Sequence, residues 1–304
     1  RRSYDRGASM RTLAPGTRVI VEAPATSANL GPGFDCFGLA LDWRERVEIE
    51  VLGSGVTVDV TGEGSHLLPR DESHLVVRCV TEGLDDLGVR APGLALRGHN
   101  TIPHGRGLGS SSAAIVAGLV GARALAGLPE DRGWVLRHAN RVEGHPDNVA
   151  AAIHGGFVMA YGHGEHVAVV PGRVHPDLRA AVVIPEVAVE TRAARRLLPD
   201  VVPHADAAAN AGRAALLVHA VAEAPHLLHA GTQDWLHQRY REPAMPEAYA
   251  LMARLRAAGF AAAISGAGPS VVVLGTETDL SGLEASEPGT RFRRLGIGRP
   301  AHAF

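Results

Sequence analysis

The chain contains no lysine, because all 30 of its Lys+Arg residues are arginine. A P-loop nucleotide enzyme needs the lysine of its phosphate loop, and a protein kinase needs a lysine on its third strand. Catalysis through a Schiff base also needs a lysine amine. The composition therefore excludes these three classes.

Cysteines and long apolar segments are scarce as well. The two cysteines, Cys36 and Cys79, show no metal-ligand spacing. One disulfide stays open, but two reduced thiols in a cytoplasmic protein are the preferred interpretation. Residues 113–128 are too short and too interrupted to span a bilayer. A net charge of −2 offers no basic surface for nucleic acid or anionic lipid, so we expect no nucleic-acid partner and no membrane partner.

The 304 residues, 46% of them hydrophobic, can bury a large core. Strand-like and helical segments alternate too irregularly for a doubly wound sheet, which favours an α+β fold. A soft boundary near residues 161–165 predicts two halves, 10–162 and 163–304.

Hydrophobic periodicity predicts the secondary structure. The predicted helices are residues 74–87, 111–125, 131–142, 191–198, 205–222 and 247–258. The predicted strands are residues 18–22, 94–97, 155–161, 167–170, 180–184, 261–265 and 271–274. Residues 47–52 and 56–60 are predicted to form a hairpin around Gly53-Ser54-Gly55, and residues 24–33 a turn region.

A glycine- and serine-rich segment lies between a predicted strand and a predicted helix. Its residues are Pro103, His104, Gly105, Arg106, Gly107, Leu108, Gly109, Ser110, Ser111, Ser112 and Ala113. Glycines let the backbone approach a ligand closely, and the first amides of a helix are unpaired. Such a helix start binds phosphate without a lysine. The sequence therefore predicts a phosphate loop here, although a plain serine-capped turn is the alternative.

Two other glycine and serine patterns do not fit this segment. A dinucleotide fingerprint needs a small third residue where serines follow Gly107-Leu108-Gly109. A hydrolase nucleophile elbow needs the spacing GxSxG, which none of these serines has.

Three segments resemble motifs of the GHMP small-molecule kinases. The string PHGRGLGSSSA is similar to the phosphate loop of that family. Residues 24–35 (PATSANLGPGFD) resemble its first motif, in the form carried by members that act on homoserine, and residues 265–270 (SGAGPS) resemble its third. The resemblance covers about residues 19–274. It implies a two-lobed kinase fold with the phosphate loop at a helix N-terminus, a nucleotide-binding first half and a substrate-binding second half.

The resemblance implies ATP as phosphate donor and L-homoserine as acceptor, a step of threonine biosynthesis. A zwitterionic amino acid needs an anion for its ammonium and guanidinium groups for its carboxylate. The substrate-binding residues expected on this basis are Asn29, Asp35, His145, Thr191, Arg195, Arg241 and Gly266.

The resemblance also implies a metal site and a catalytic group. Glu143 is expected to hold Mg²⁺ with the hydroxyl of a loop serine, and we choose Ser111. The catalytic residues expected are Asn148, Asp147 and Arg195. Either Asp147 acts as a general base, or Asn148 and the phosphate environment position the hydroxyl without one; the second is preferred. Arg106 is a further candidate for stabilising the transferred phosphate.

Two alternatives stay open from the sequence. The chain could be another GHMP kinase, acting on mevalonate or a sugar, or a catalytically silent ligand-binding protein with the same fold. A homodimer is compatible with the resemblance.

Overall fold

The computed structural model describes residues 10–162, 166–186 and 191–304, and of Thr191 and Arg192 it describes the backbone alone. The strands in these residues are β1 (Arg11–Thr12), β2 (Arg18–Ala28), β3 (Phe37–Leu52), β4 (Gly55–Gly62), β5 (Val89–Arg90), β6 (Gly93–Asn100), β7 (Phe157–Tyr161), β8 (Ala168–Gly172), β9 (Arg179–Val183), β10 (Ala261–Ile264), β11 (Val271–Gly275), β12 (Phe292–Leu295) and β13 (His302–Ala303).

The helices in the same residues confirm most of the predicted segments. They are α1 (Leu75–Asp86), α2 (Ser110–Leu125), α3 (Arg132–Glu143), α4 (Asp147–His154), α5 (Thr191–Arg195), α6 (His204–Ala222), α7 (Leu228–Gly231), α8 (Gln238–Arg241), α9 (Pro246–Ala257), α10 (Glu277–Leu280) and α11 (Leu283–Ser286). Three short 3₁₀ helices, Ser65–Leu67, Pro225–Leu227 and Glu242–Ala244, connect them. Helix α4 was not among the predicted segments.

The larger sheet has seven strands, in the order β13-β2-β3-β6-β4, with β7 on β3 and β8 on β7. Strand β3 is 16 residues long and has two partners on one side. Its first three residues pair with β7, and residues 46–52 pair with β6. The long central strand therefore joins chain segments that are far apart in sequence.

The predicted hairpin of residues 47–52 and 56–60 is wrong. Strand β6 lies between β3 and β4 and pairs with β4 in parallel register. The turn at residues 53–55 crosses the start of β6, where a Cβ on Gly93 would lie 2.5 Å from the carbonyl carbon of Ser54. The local glycine pattern gave the turn correctly, but a strand distant in sequence takes the pairing position.

The predicted turn region of residues 24–33 is partly wrong as well. Strand β2 continues through Ala28, and its register with β3 shifts between Pro24 and Ala25. A proline has no N–H for a sheet, so it is tolerated in a strand at such an irregularity. The turn itself occupies residues 29–36, immediately after the strand.

Helices α2 and α4 pack against one face of the larger sheet, and α1 and α3 pack against these helices, so that together they enclose the main core. Helices α1 and α2 approach closely because Gly118 of α2 faces α1, where an added Cβ would lie 2.6 Å from the Cβ of Cys79. Burial raises the pKa of the Cys79 thiol to about 12, so that thiol is unreactive.

The later part of the chain forms a four-stranded sheet in the order β10-β11-β9-β12. Helix α9 packs against this sheet through Leu251, Met252 and Leu255, around a second core cluster. Strands β10 and β11, both predicted from the sequence as strands, pair antiparallel.

The α+β class is thus confirmed. Strand β8 and the C-terminal strand β13 both join the larger sheet, so this sheet draws on both ends of the chain. The division at residues 162/163 stays a prediction. None of the helices in the described residues has the length and apolar character needed to cross a membrane.

Candidate active site

The glycine- and serine-rich loop leads directly into helix α2. Gly105, Gly107 and Gly109 have φ angles of 65°, 72° and 67°, a region that favours glycine. Helix α2 begins at Ser110, and its first helical hydrogen bond runs from Ala113 N to Gly109 O. The amides of residues 110–112 precede that bond and are available to an anion.

Two of these glycines also make room for neighbouring segments. A Cβ on Gly109 would collide with Oγ1 of Thr26, and a Cβ on Gly107 would collide with the carbonyl oxygen of Ser265. The loop is therefore packed between the first-motif segment (residues 24–35) and the third-motif segment (residues 265–270).

Hydrogen bonds connect the same three segments. Thr26 N donates to Leu108 O at 3.0 Å, and Ser270 N donates to Arg106 O at 3.2 Å. Ser265 Oγ donates to Gly107 O at 2.6 Å. Thr26, Ser265 and Ser270 were not among the predicted site residues, although all three lie within the motif strings. Their role in connecting the three segments is visible only in the folded chain.

The Arg106 side chain holds the loop from outside. Its Nε donates to Pro185 O at 2.9 Å, its Nη1 to His104 O at 3.2 Å, and its Nη2 to Glu186 O. Three of its five N–H groups are thus engaged with carbonyls, which supports an anchoring role. Direct contact with a transferred phosphate stays a prediction.

Glu143, the last residue of α3, lies at the start of α2. Its Oε2 accepts from Ser111 Oγ and its Oε1 from Ser112 Oγ, each at 2.9 Å. The structure thus brings together the predicted pair Ser111 and Glu143 and adds Ser112. In the described residues, no group of three or more His, Cys, Asp or Glu side chains could hold a metal by itself.

A polar pocket of about 150 Å³ lies beside this loop. It brings together nine of the predicted residues outside the loop: Asn29, Asp35, Glu143, His145, Asp147, Asn148, Arg195, Arg241 and Gly266. Thr191 begins α5 nearby, and its side chain lies outside the described part of the chain.

Asp35 and Arg195 form an ion pair across the pocket. Arg195 Nη1 and Nη2 donate to Asp35 Oδ2 and Oδ1 at 2.8 and 2.7 Å. The two side chains keep 33% and 40% of their surface exposed, so a ligand can reach them. Asp35 has a φ of 54°, and its amide donates to Asn29 Oδ1 at 3.0 Å.

Arg241 is almost completely buried at the bottom of the pocket, with 2% of its surface exposed. Its Nη1 donates to Gly266 O at 3.1 Å. Burial, and then repulsion from Arg195, lowers the pKa of Arg241 to about 10, which still leaves it cationic at neutral pH. The ring of Phe34 lies 5.3 Å from the guanidinium carbon of each arginine.

Asn29 connects two motif segments through its side chain. Its Nδ2 donates to Gly266 O at 2.9 Å, and its Oδ1 accepts from Asp35 N. These contacts make it an organiser of the pocket wall. Its direct contact with a substrate stays a prediction.

His145, Asp147 and Asn148 surround the start of α4. Asp147, 2% exposed, accepts at Oδ1 from Asn148 N at 2.8 Å and lies 3.0 Å from His145 Nδ1. Burial would lower the pKa of His145, but the hydrogen bond and charge of Asp147 raise it above its usual range. Asn148 Oδ1 accepts from Thr26 Oγ1 at 2.8 Å, which fixes the amide toward the loop.

A second cavity, of about 310 Å³, opens on the other side of Gly105 and Ser110. Its apolar lining comprises Val47, Val60, Leu68, Leu75, Val76, Leu96, Ala113, Ala114 and Ala117. His74 lines it as well, is 5% exposed, and has no hydrogen-bond partner for either ring nitrogen in the described residues. Burial, and then the charge of Arg70, lowers the pKa of His74, so its ring is neutral at pH 7.

Comparison with known proteins places these features in a family. The model of the GHMP kinases N terminal domain matches residues 74–156, and that of the GHMP kinases C terminal domain matches residues 213–285. The homoserine kinase of Streptomyces avermitilis is 52% identical over 85% of this chain and 86% of its own length. That of Corynebacterium urealyticum is 45% identical over 96% of this chain and 98% of its own.

Solved structures show the same fold. The crystal structure of homoserine kinase from Cytophaga hutchinsonii superimposes with a TM-score of 0.81 at 26% identity and covers 99% of both chains. Mevalonate diphosphate decarboxylase from Enterococcus faecalis superimposes with a TM-score of 0.68 at 14% identity, over 96% of this chain and 99% of its own, which is a likeness of fold alone.

Proposed function

This chain belongs to the GHMP kinase family, and from that premise we propose that it transfers the γ-phosphate of ATP to the hydroxyl of L-homoserine. The products are O-phospho-L-homoserine and ADP. The observation that carries the proposal is the pair of arginines facing one aspartate in a pocket next to a phosphate loop. That set of charges suits a zwitterionic amino acid with a hydroxyl at its far end.

ATP is proposed to bind with its phosphates at the start of α2. The free amides of residues 110–112 and the helix dipole attract the phosphate oxygens. The adjoining cavity of about 310 Å³ would then take the nucleoside, since its apolar walls suit a purine ring. His74 forms part of the cavity wall, with both ring nitrogens buried and without a hydrogen-bond partner in the described residues.

L-Homoserine is proposed to bind in the polar pocket. Its ammonium group takes Asp35, and its carboxylate takes Arg195 and Arg241, in part replacing the ion pair of Asp35 with Arg195. An arginine fork fits a carboxylate better than a lysine does. Bound this way, the amino acid presents its hydroxyl toward Asn148 and the phosphate loop.

Glu143 and the serine hydroxyls are proposed to hold Mg²⁺ together with ATP. A carboxylate with neighbouring hydroxyl oxygens is a donor set that Mg²⁺ accepts, with phosphate oxygens and water completing its shell. The bound ion neutralises charge on the phosphates. The hydrogen bonds between Glu143 and both serines keep these donors together.

Catalysis is proposed to depend on positioning more than on proton abstraction. Phosphoryl transfer gains most from in-line placement and charge neutralisation. Asn148, oriented by Thr26, and Arg195 contact the reacting groups, while Asp147 holds His145 and the start of α4. The attacking hydroxyl oxygen forms its bond to the γ-phosphorus as the bond to the ADP oxygen breaks, and the hydroxyl proton passes to an oxygen of the transferred phosphate.

We further propose that residues 10–162 bind the nucleotide and, through Asp35, the ammonium group of the substrate, while residues 163–304 bind its carboxylate. The enzyme is proposed to work in the cytoplasm, where ATP and free amino acids meet. Arg195, Arg241 and Gly266 come from the second half.

A homodimer is also proposed. Tyr161 and Val170, 60% and 46% exposed on β7 and β8, supply an apolar edge for it. Analytical ultracentrifugation tests this assembly.

The proposed function is tested by comparing three candidate acceptor substrates. The enzyme is incubated with MgATP and one acceptor at a time, either L-homoserine, mevalonate or galactose. ADP release is followed by a coupled assay. We expect rapid ADP release with L-homoserine and not with mevalonate or galactose. Faster release with mevalonate or galactose would assign a different GHMP kinase, and no substrate-dependent release would indicate a silent ligand-binding protein.

A further inference from the structure

His237 lies behind the pocket and is completely buried, with 0% of its surface exposed. It directly precedes α8, so it is four residues from Arg241. Its Nε2 lies 2.8 Å from Gly31 O, and its Nδ1 lies 3.3 Å from Arg241 Nη1. Both ring nitrogens therefore contact groups of the pocket wall.

These two partners permit one tautomer of the imidazole ring. A carbonyl oxygen can only accept, so the hydrogen must be on Nε2 to bind Gly31 O. A guanidinium can only donate, so Nδ1 must offer its lone pair to Arg241. A doubly protonated ring would place an N–H against Arg241 and would lose this bond.

We propose that His237, as the neutral Nε2–H tautomer, is a positioning residue that aims Arg241 at the substrate carboxylate. The inference rests on the proposed function, because that function gives Arg241 its task. One hydrogen of Arg241 Nη1 goes to His237 and the other to Gly266 O at 3.1 Å. With both hydrogens of Nη1 used and Nε buried, Nη2 is left to bind the substrate carboxylate.

The surrounding contacts support this positioning role. The Phe34 ring lies 5.2 Å from the His237 ring and 5.3 Å from the Arg241 guanidinium carbon. Gly31 and Phe34 belong to the first-motif segment and Gly266 to the third. His237 therefore joins the turn that carries Asp35 to the arginine on the opposite side of the pocket.

The charged groups around His237 set its protonation. Burial lowers its pKa below the usual range; Asp234 opposes this shift and Arg241 adds to it, with a smaller opposing effect of Asp35. Asp234 Oδ1 lies 3.7 Å from Nε2. The ring is thus neutral at pH 7, and acid converts it to the form that cannot accept from Arg241. The KM for homoserine should therefore rise only in acid, once the pH falls below the lowered pKa of His237, while the KM for ATP stays constant.

Two substitutions of His237 distinguish the hydrogen bond to Gly31 O from the hydrogen bond from Arg241. Asn at this position places a carbonyl oxygen near the site of Nδ1, so His237→Asn keeps an acceptor for Arg241 and loses the donor to Gly31. Gln places an amide nitrogen near the site of Nε2, so His237→Gln keeps the donor to Gly31 and loses the acceptor. The two variants have the same polarity, and each serves as the control for the other.

We expect His237→Gln to raise the KM for homoserine by at least about tenfold, since a hydrogen bond to a charged group is lost. His237→Asn should stay within about threefold of wild type at pH 7 and lose the rise in KM for homoserine that acid causes in wild type. In both variants the KM for ATP should be unchanged, with melting temperatures recorded to show that each variant is folded.

Equal homoserine KM values for the two variants would overturn the inference. So would a parallel rise in the KM for ATP, which would indicate general disruption. If wild type phosphorylates homoserine and the two variants do not differ, this inference alone fails. If wild type itself does not phosphorylate homoserine, the proposed function fails and this inference fails with it.

Discussion

Replacing Asp35 with Asn tests the proposed substrate pocket most sharply. The substitution keeps the size of the side chain and one acceptor oxygen but removes the negative charge. In the free protein it removes one of the two hydrogen bonds that Asp35 accepts from Arg195, at 2.7 and 2.8 Å, and with it the ion pair. In the substrate complex it removes the counter-charge of the ammonium group.

The effect of Asp35→Asn on the stability of the free protein should be smaller than its effect on substrate binding. Because the side chains of Asp35 and Arg195 are 33% and 40% exposed, solvent screens their ion pair, and its loss should change the free energy of unfolding by less than about 1 kcal/mol. A hydrogen bond to a charged ligand group is worth about 1.5–3 kcal/mol. At about 1.4 kcal/mol per factor of ten, that is a rise of about 10- to 100-fold in the KM for homoserine.

The assay is steady-state ADP release with homoserine and ATP varied separately, together with thermal unfolding. Glu287→Gln is the matched control, because Glu287 also receives two hydrogen bonds from one arginine, Arg254, at 2.7 and 3.0 Å. We expect the control to leave both KM values unchanged. An Asp35→Asn enzyme whose homoserine KM equals that of wild type would refute the pocket assignment.

Three further predictions concern the phosphate loop and catalysis. Glu143→Gln should raise the Mg²⁺ concentration for half-maximal activity at least about tenfold, as a Mg²⁺ titration will show, because Glu143 holds both loop serines. Asp147→Asn should keep kcat within about tenfold of wild type, whereas a loss of about 10²–10⁴ would make Asp147 a general base. Gly109→Ala should abolish ATP binding measured by calorimetry, because its Cβ would collide with Thr26. Gly212→Ala, in open space on α6, should bind ATP normally and stabilise the protein by about 0.5–1 kcal/mol.

Local sequence patterns predicted the longer helices well, and also the glycine-rich loop that leads into α2. The start of α2 follows from glycines at positive φ and a run of small residues, both of which act locally. Helix α1 follows from its apolar face and from Gly88 after its end, which has a φ of 68°. Such features depend on neighbours within a few residues.

Features set by distant segments were not predictable in the same way. The insertion of β6 between β3 and β4 depends on pairing between strands about 40 residues apart, which no local pattern specifies. Helix α4 was missed because the polar Asp147-Asn148 pair at its start is typical of turns. His237 was not recognised because its partners, Gly31 and Arg241, meet it only after folding.

The most direct test of the account is ³¹P NMR of the wild-type enzyme with MgATP and L-homoserine. We expect a new phosphomonoester resonance that grows as the γ-phosphate signal of ATP declines, with one ADP formed for each phosphoester. An unchanged ATP spectrum, or the appearance of inorganic phosphate in place of the phosphoester, would contradict it.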